Sequence, residues 1–383
     1  MARSVYIHWP FCARKCPYCD FNSHVRDEVD FARWEAALIA DLRAEAALVE
    51  RKPLKSIFFG GGTPSLMSPQ LVDQLLTNVA HLWGFADDIE ITLEANPSSV
   101  EASKFADLAK AGINRVSLGI QSLDNDALQF LGRLHSADEA LDALKVAQQN
   151  FDRVSFDLIY ALPDQTEEHW RSQLERALSF GTSHLSLYQL TIEPSTRFAT
   201  DVRRGVFEPL DNDRAAGMYE ITRELTQQHG LPAYEISNHA LVGEESRHNL
   251  TYWQYEDYIG IGPGAHGRRN GIATTRHKKP ETYLMSCETK SSGIQTAITL
   301  SPEEQVSEAL LMGLRLTSGI DLESLAARFG IPVLAMLDAK KLDLHQSLGL
   351  IWRDGSKIGV TPAGMPVLDA LLADLVHADL VSA

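Results

Sequence analysis

Between residues 4 and 237 short apolar runs alternate with amphipathic stretches, and no other feature limits the fold of this 383-residue chain as strongly. Strand-forming residues gather at 4–9, 55–59, 89–95, 115–120, 153–160, 184–190 and 233–237. Helical spacing of apolar residues follows at 31–50, 69–83, 99–111, 124–131, 137–150, 167–180 and 211–229, with Gly112, Gly181 and Gly230 at three of the ends. Strand–helix alternation of this kind predicts an α/β fold, a parallel sheet covered by helices. Short, nearly continuous apolar strands are expected when both sheet faces are buried. A complete (β/α)8 barrel takes about 250 residues. The alternation here provides about six to seven units, so a partial barrel is predicted. In such barrels chemistry sits at the C-terminal ends of the strands.

The texture changes after residue 240. Residues 239–276 are rich in Gly, His and aromatic side chains without a long helical period, as in a functional loop segment. From Ser301 the pattern becomes a helix over 302–315 with Ser301 as N-cap, a helix over 322–329 and a hairpin around Asp354-Gly355. A last helix covers 361–376. That order predicts a small, mainly helical, winged-helix-like unit. The division is therefore 1–238 as barrel, 239–300 as connecting segment and 301–383 as C-terminal domain.

Directly after the first predicted strand come Cys12, Cys16 and Cys19, three of the four cysteines of the chain. The spacing is Cys-x3-Cys-x2-Cys. A four-iron cubane normally takes four thiolates. Three leave one iron open, and an open position marks a reactive metal site rather than a structural one. Structural zinc is the competing reading, but no second Cys or His pair follows at zinc-finger spacing. Cys287 stands alone and reads as a buried small hydrophobe.

The net charge of -16 excludes a general nucleic-acid binder, which needs a basic face. No run of 18 apolar residues predicts a membrane span, and the N-terminus lacks a secretory pattern, so neither an integral membrane protein nor an exported one is expected. A cysteine cluster with an open iron requires a reducing cytoplasm.

The cysteine loop, with Tyr18 before its third cysteine, resembles the signature of the radical S-adenosylmethionine superfamily. Gly60-Gly61-Gly62-Thr63-Pro64 resembles the second motif of that superfamily, a turn whose backbone approaches the methionine end of the cofactor. The resemblance implies a 4Fe-4S cluster on Cys12, Cys16 and Cys19. S-adenosyl-L-methionine would be chelated at the open iron and its sulfonium cleaved by one electron. Within the superfamily, Tyr6-x-His8-x-Pro-Phe-Cys12, Glu94-Ala-Asn-Pro97, Ser117 to Ser122, Gly132-Arg133 and Asp157 to Pro163 resemble the coproporphyrinogen III oxidase-like group. That likeness implies that Tyr6, Tyr18, Gly61 and Glu94 contact the cluster-bound cofactor. It implies that Gln121, Arg133 and Asp157 hold a second cofactor molecule. Each has a plainer reading. Glu94 or Asp157 can be a charge at a helix N-terminus, Arg133 a surface ion pair and Gln121 a loop cap.

Three departures point away from the decarboxylating oxidase. Phe21 stands where that enzyme carries a further cysteine, the segment before Cys12 is short, and His248-Asn-Leu-Thr-Tyr252-Trp253 resembles the signature of the heme-chaperone HemW branch. Gly260 to His266 follows with a pattern of the same branch. The resemblance implies binding of heme and its delivery to apoproteins, membrane-associated ones included. The alternative is oxygen-independent oxidative decarboxylation of coproporphyrinogen III. Imidazole is a common axial ligand of heme, and flat aromatic groups stack on the macrocycle. His248, Tyr252 and Trp253 supply both within six residues, with His8, His239 and His266 as further candidates. The competing reading makes His248 a satisfied buried histidine and Tyr252 and Trp253 core residues.

Overall fold

The computed structural model describes residues 2–376. The end of the expected C-terminal domain, residues 377–383, lies outside the described residues. Eight strands form the main sheet: β1 Ser4–Trp9, β2 Leu54–Gly61, β3 Phe85–Ala95, β4 Arg115–Gln121, β5 Arg153–Tyr160, β6 His184–Gln189, β7 Asn238–Ala240 and β8 Ile259–Ile261. The order is β8-β1-β2-β3-β4-β5-β6-β7. All neighbours are parallel except β6 and β7. The two edges do not meet, so the barrel is open. Side chains on the helix-facing side of the sheet, such as Val5, Ile57, Leu93, Val116 and Leu158, are buried against the inward faces of the covering helices, while Glu94, Ser117 and Asp157 at alternate positions face the barrel mouth.

Helices start at the C-terminal ends of the strands, where polar caps fix them. Ser68, Ser98, Asp124, Ser136 and Thr166 each accept a backbone N–H of the first turn. The expected strand at 233–237 is not one. Residues 238–240 run antiparallel along β6 instead, and Ala233 makes only an isolated bridge to His239.

The segment 239–300 does more than connect. It supplies edge strand β8, parallel to β1 with Val5 opposite Ile259. It also supplies an antiparallel sheet of His266–Arg269, Ile272–Arg276 and Ile294–Thr299, with the helix Pro280–Lys290 between its last two strands. This sheet is tied to the helix Phe31–Ala46 by buried charges. Arg276 donates to Glu45 (2.8 Å) and Asp41 (3.2 Å), and Arg269 to Glu45 (2.9 Å).

The C-terminal unit has its own core around Leu310, Leu325, Ile358 and Leu372. Its hairpin pairs Ile351–Asp354 with Lys357–Val360, and Ile320–Asp321 adds a third strand, as in a winged helix. The last helix is Leu368–Leu375, shorter than the 361–376 expected, because a turn and a 3-10 segment precede it. Among the described residues no helix is long and apolar enough to cross a membrane.

Candidate functional site

The cysteine loop leaves β1 at the mouth of the barrel. Phe11–Cys12 pairs with His24–Val25, so the loop closes on itself. Within it the Cys19 N–H donates to the Cys16 carbonyl at 3.2 Å. Asn22 anchors the far side, its amide donating to the carbonyls of Pro263 (2.8 Å) and Lys278 (2.9 Å). His8 braces the near side: its Nε2–H donates to the Asn22 carbonyl (2.9 Å), which leaves Nδ1 to accept from the Tyr6 hydroxyl (3.0 Å). Burial holds His8 neutral, with its pKa lowered to about 4. Cys12, Cys16 and Cys19 are partly exposed and line one cavity. Burial raises the thiol pKa values of Cys12 and Cys19. Among the described residues no Cys, His, Asp or Glu trio converges on one ion.

The glycine turn is locked to this loop through the backbone. Gly62 N–H donates to the Trp9 carbonyl (2.7 Å) and Thr63 N–H to the Phe11 carbonyl (2.8 Å). Side chains are excluded here. A Cβ on Gly62 would stand 2.7 Å from the Phe11 oxygen. Gly61 has φ +111°, and a Cβ there would lie 2.5 Å from the His8 ring. The absent side chains let the turn pack directly against His8 and the Phe11 backbone, beside the cavity that Gly61, Gly62 and Thr63 line.

The opposite wall is polar. Glu94 accepts from Gly61 N–H at 3.2 Å. Burial, and then the charge of Asp157, push its pKa up to about 8. Asp157 accepts from Ser117 at 3.2 Å, and burial raises it to about 6 against the opposing Ser186, Ser117 and Arg133. Arg133 is no surface ion pair: it donates to Asn96 Oδ1 (2.5 Å), the Gly119 carbonyl (2.7 Å) and Cys16 Sγ (3.4 Å). Gln121 ends β4 in the left-handed region at φ +71°, beside a register break after Leu118. Its Oε1 and the Arg133 Nε are buried without partners. One can accept from an ammonium or hydroxyl group and the other can donate to a carboxylate. Buried polar atoms are normally satisfied, so these two mark the place of a polar ligand. The donor and acceptor set suits the amino-acid and ribose groups of S-adenosylmethionine beside a cluster on the three cysteines.

The expected cofactor residues gather around the cysteines. Tyr18, Gly61, Gly62, Thr63, Gln121, Arg133 and Asp157 line the same cavity as the cysteines, about 720 Å³ of empty space continuous with solvent. Gly60 lies just behind, against Tyr6. Tyr6 lines a second cavity with Tyr252, Tyr258 and His266, and Gly61 and Glu94 border both.

The expected heme segment is the helix Arg247–Trp253, and it splits. His248 is 1% exposed. A chain of hydroxyls fixes its tautomer. Thr251 donates to the Arg247 carbonyl, Ser4 to Thr251, Ser56 to Ser4, and His248 Nδ1–H to Ser56 (3.1 Å). Nε2 then accepts from the Tyr252 hydroxyl at 2.7 Å. Both ring nitrogens are engaged, as in the reading of His248 as a satisfied buried histidine. Tyr252 does reach the second cavity. Trp253 turns away to pack with Tyr234 and Leu316 under the Arg315 guanidinium. His239 lies in β7 and lines neither cavity described here, and Cys287 is buried in the barrel core. Sequence reasoning missed Asn22, Asn96 and Ser117 as individual site residues. Their signal was position alone, at the end of the loop or along the strands whose C-terminal ends form the mouth.

Residues 6–177 match the radical SAM superfamily model, and residues 300–367 match the HemN C-terminal domain. The mitochondrial radical S-adenosyl methionine domain-containing protein 1 of Bos taurus is 39% identical, covering 97% of this chain and 87% of the relative. The heme chaperone HemW of Bacillus subtilis is 34% identical, with 94% and 96% covered. HemW of Escherichia coli is 43% identical, with 73% and 75% covered. The solved structure of coproporphyrinogen III oxidase (HemN) from Escherichia coli, a radical SAM enzyme, superposes with a TM-score of 0.81 at 20% identity. That match covers 97% of this chain and 89% of the other, a likeness of fold. With its cysteine loop, glycine turn and polar wall in one cavity, the chain belongs to the radical SAM superfamily, in the branch of the HemW heme chaperones.

Proposed function

We propose that the protein is a heme chaperone of the cytoplasm. It binds heme alongside a 4Fe-4S cluster that carries S-adenosylmethionine, and it hands heme to apoproteins, membrane-associated ones included. The observation that carries this reading is identity of 34–43% to proteins named heme chaperone HemW, against 20% to the oxidase of the same fold. Phe21 supports it: its ring is 59% exposed beside the cysteines, and no thiol stands there.

Cys12, Cys16 and Cys19 would hold three irons. Gly60, Gly61, Gly62 and Thr63 would present the main chain to the methionine end of the cofactor, and Tyr18 would flank it. Arg133 would pair with its carboxylate, while Gln121 Oε1 and Asp157 accept from its donors. Glu94 and Tyr6 would stand at the border of the second cavity. When bound, the cluster and S-adenosylmethionine supply one-electron chemistry at an open iron. Tyr252 would be the residue of the 248–253 segment that touches heme, with its hydroxyl held by His248.

The test combines two assays on anaerobically reconstituted protein. Heme titration should give a Soret band, and heme-loaded protein should restore activity to a heme-free apoenzyme. Coproporphyrinogen III with S-adenosylmethionine and a reductant should give no protoporphyrinogen. Turnover without heme transfer would replace the chaperone with the decarboxylase.

A further inference from the structure

The second cavity has no part in the cofactor roles beyond its border, yet it is large and chemically distinctive. It holds about 1220 Å³ of empty space open to solvent, ample for a flat macrocycle. Three of its walls matter. Aromatic rings come from Phe21 at the rim and from Tyr252 and Tyr258, whose centroids lie 4.6 Å apart. Cations come from Lys15 and Lys278, both exposed, in a chain of net charge -16. The opposing carboxylates are Asp20 and Glu94, and Glu94 is the one that burial keeps largely protonated at neutral pH. The third wall is His266, at the start of the strand His266–Arg269.

His266 differs from the other imidazoles near the site. His8 and His248 have both ring nitrogens in hydrogen bonds. His24 also borders the cavity, and its Nε2 has no partner among the described residues, but that nitrogen is buried rather than exposed to the cavity space. His266 is exposed into the cavity, and its ring makes no hydrogen bond among the described residues. Partial burial and the neighbouring Lys278 lower its pKa, which keeps a lone pair available at neutral pH. Iron in a porphyrin takes such a nitrogen.

We propose that the second cavity is the tetrapyrrole site: His266 ligates the iron, Phe21 and Tyr252 line the macrocycle, and Lys15 and Lys278 receive its carboxylates. The proposal rests on the heme-chaperone reading and gives it a location. Heme and S-adenosylmethionine then share one wall, built from Gly61 and Glu94.

The experiment is a titration of the full-length, cluster-loaded protein with ferric heme under anaerobic conditions, read by Soret absorbance. His266→Ala should shift the Soret band and weaken binding at least tenfold, and added imidazole should restore the wild-type band. Its iron content and circular dichroism should match wild type, because the replaced side chain is exposed. Lys15→Glu with Lys278→Glu should weaken heme at least fivefold but leave heme dimethyl ester, which lacks free carboxylates, unchanged. A His266→Ala protein with the wild-type band and affinity would overturn the site while leaving the chaperone reading intact. Absence of heme binding by wild type would overturn that reading itself. Equal losses of heme and its dimethyl ester in the lysine variant would remove the lysines from the proposal.

Discussion

At the scale of single residues, the site is built from groups held in states that a free chain avoids. Gln121 occupies φ +71°, which costs a side-chain-bearing residue about 1–2 kcal/mol. Gln121→Gly should relieve that strain, offset in part by glycine's greater freedom when unfolded. The cluster-free protein should then be as stable as wild type or more so, by up to about 1 kcal/mol in denaturant unfolding. S-adenosylmethionine retained in equilibrium dialysis should fall, since the orphan Oε1 is gone. Glu94 carries a second strain, electrostatic rather than steric. Its folded pKa of about 8 and that of Asp157 near 6 both exceed ordinary carboxylate values. The folded state therefore binds more protons than the unfolded state, and stability falls as pH rises. The fall should begin above the unfolded carboxylate values and be complete above pH 8, amounting to a few kcal/mol at ~1.4 kcal/mol per unit. Glu94→Gln should flatten the profile between pH 5 and 8. An unchanged slope in urea titrations of that variant would show that other groups set it.

At the scale of elements, buried charges place the strands and the loops behind them. Glu90 on β3 accepts from Arg115 of β4 (3.0 Å) and Arg153 of β5 (2.7 Å), and its other oxygen accepts from the His248 N–H (3.3 Å). Glu90→Gln would leave the buried Arg115 guanidinium short of a counter-charge, while Arg153 keeps Glu244 at 2.7 Å. A loss of about 3–5 kcal/mol is expected, measured by chemical unfolding. Such pairings also explain which elements were legible in the sequence. The six strands from β1 to β6 announced themselves through the apolar residues of their helix-facing side, Val5, Ile57, Leu93, Val116, Val154 and Leu185 among them. The antiparallel sheet of 266–299 did not. Its strands carry Arg268, Arg269 and Arg276, which read as solvent-facing until Asp41 and Glu45, more than 220 positions earlier, are placed against Arg269 and Arg276. Strand β8 is three residues long with a glycine at its centre, too short to show a period. The cysteine loop and glycine turn were legible because their chemistry is local. The fate of His248 was not, because Ser4 and Ser56 reach it from two distant strands.

At the scale of the whole molecule, the C-terminal unit is joined through Tyr255, which belongs to the core of that unit although it precedes it in sequence. The Arg268 guanidinium lies 3.4 Å from the centre of the Tyr255 ring, and the Tyr255 hydroxyl donates to Glu308 at 2.5 Å. Tyr255→Ala should cost about 3–5 kcal/mol. It should also open a protease site near residue 300, seen as two stable fragments in limited digestion. Cleavage no faster than wild type would place the joint elsewhere. Strand order has a consequence for how the protein is made. β1 lies inside the sheet, between β2 and β8, and the loop that follows it is pinned by Asn22 to the carbonyls of Pro263 and Lys278. On the ribosome the first cysteines emerge early, but their final frame is complete only once residues 259–278 have left the exit tunnel. The cradle for iron–sulfur loading is therefore finished only after that segment has emerged, and a chain stalled before that point would present its thiols without it.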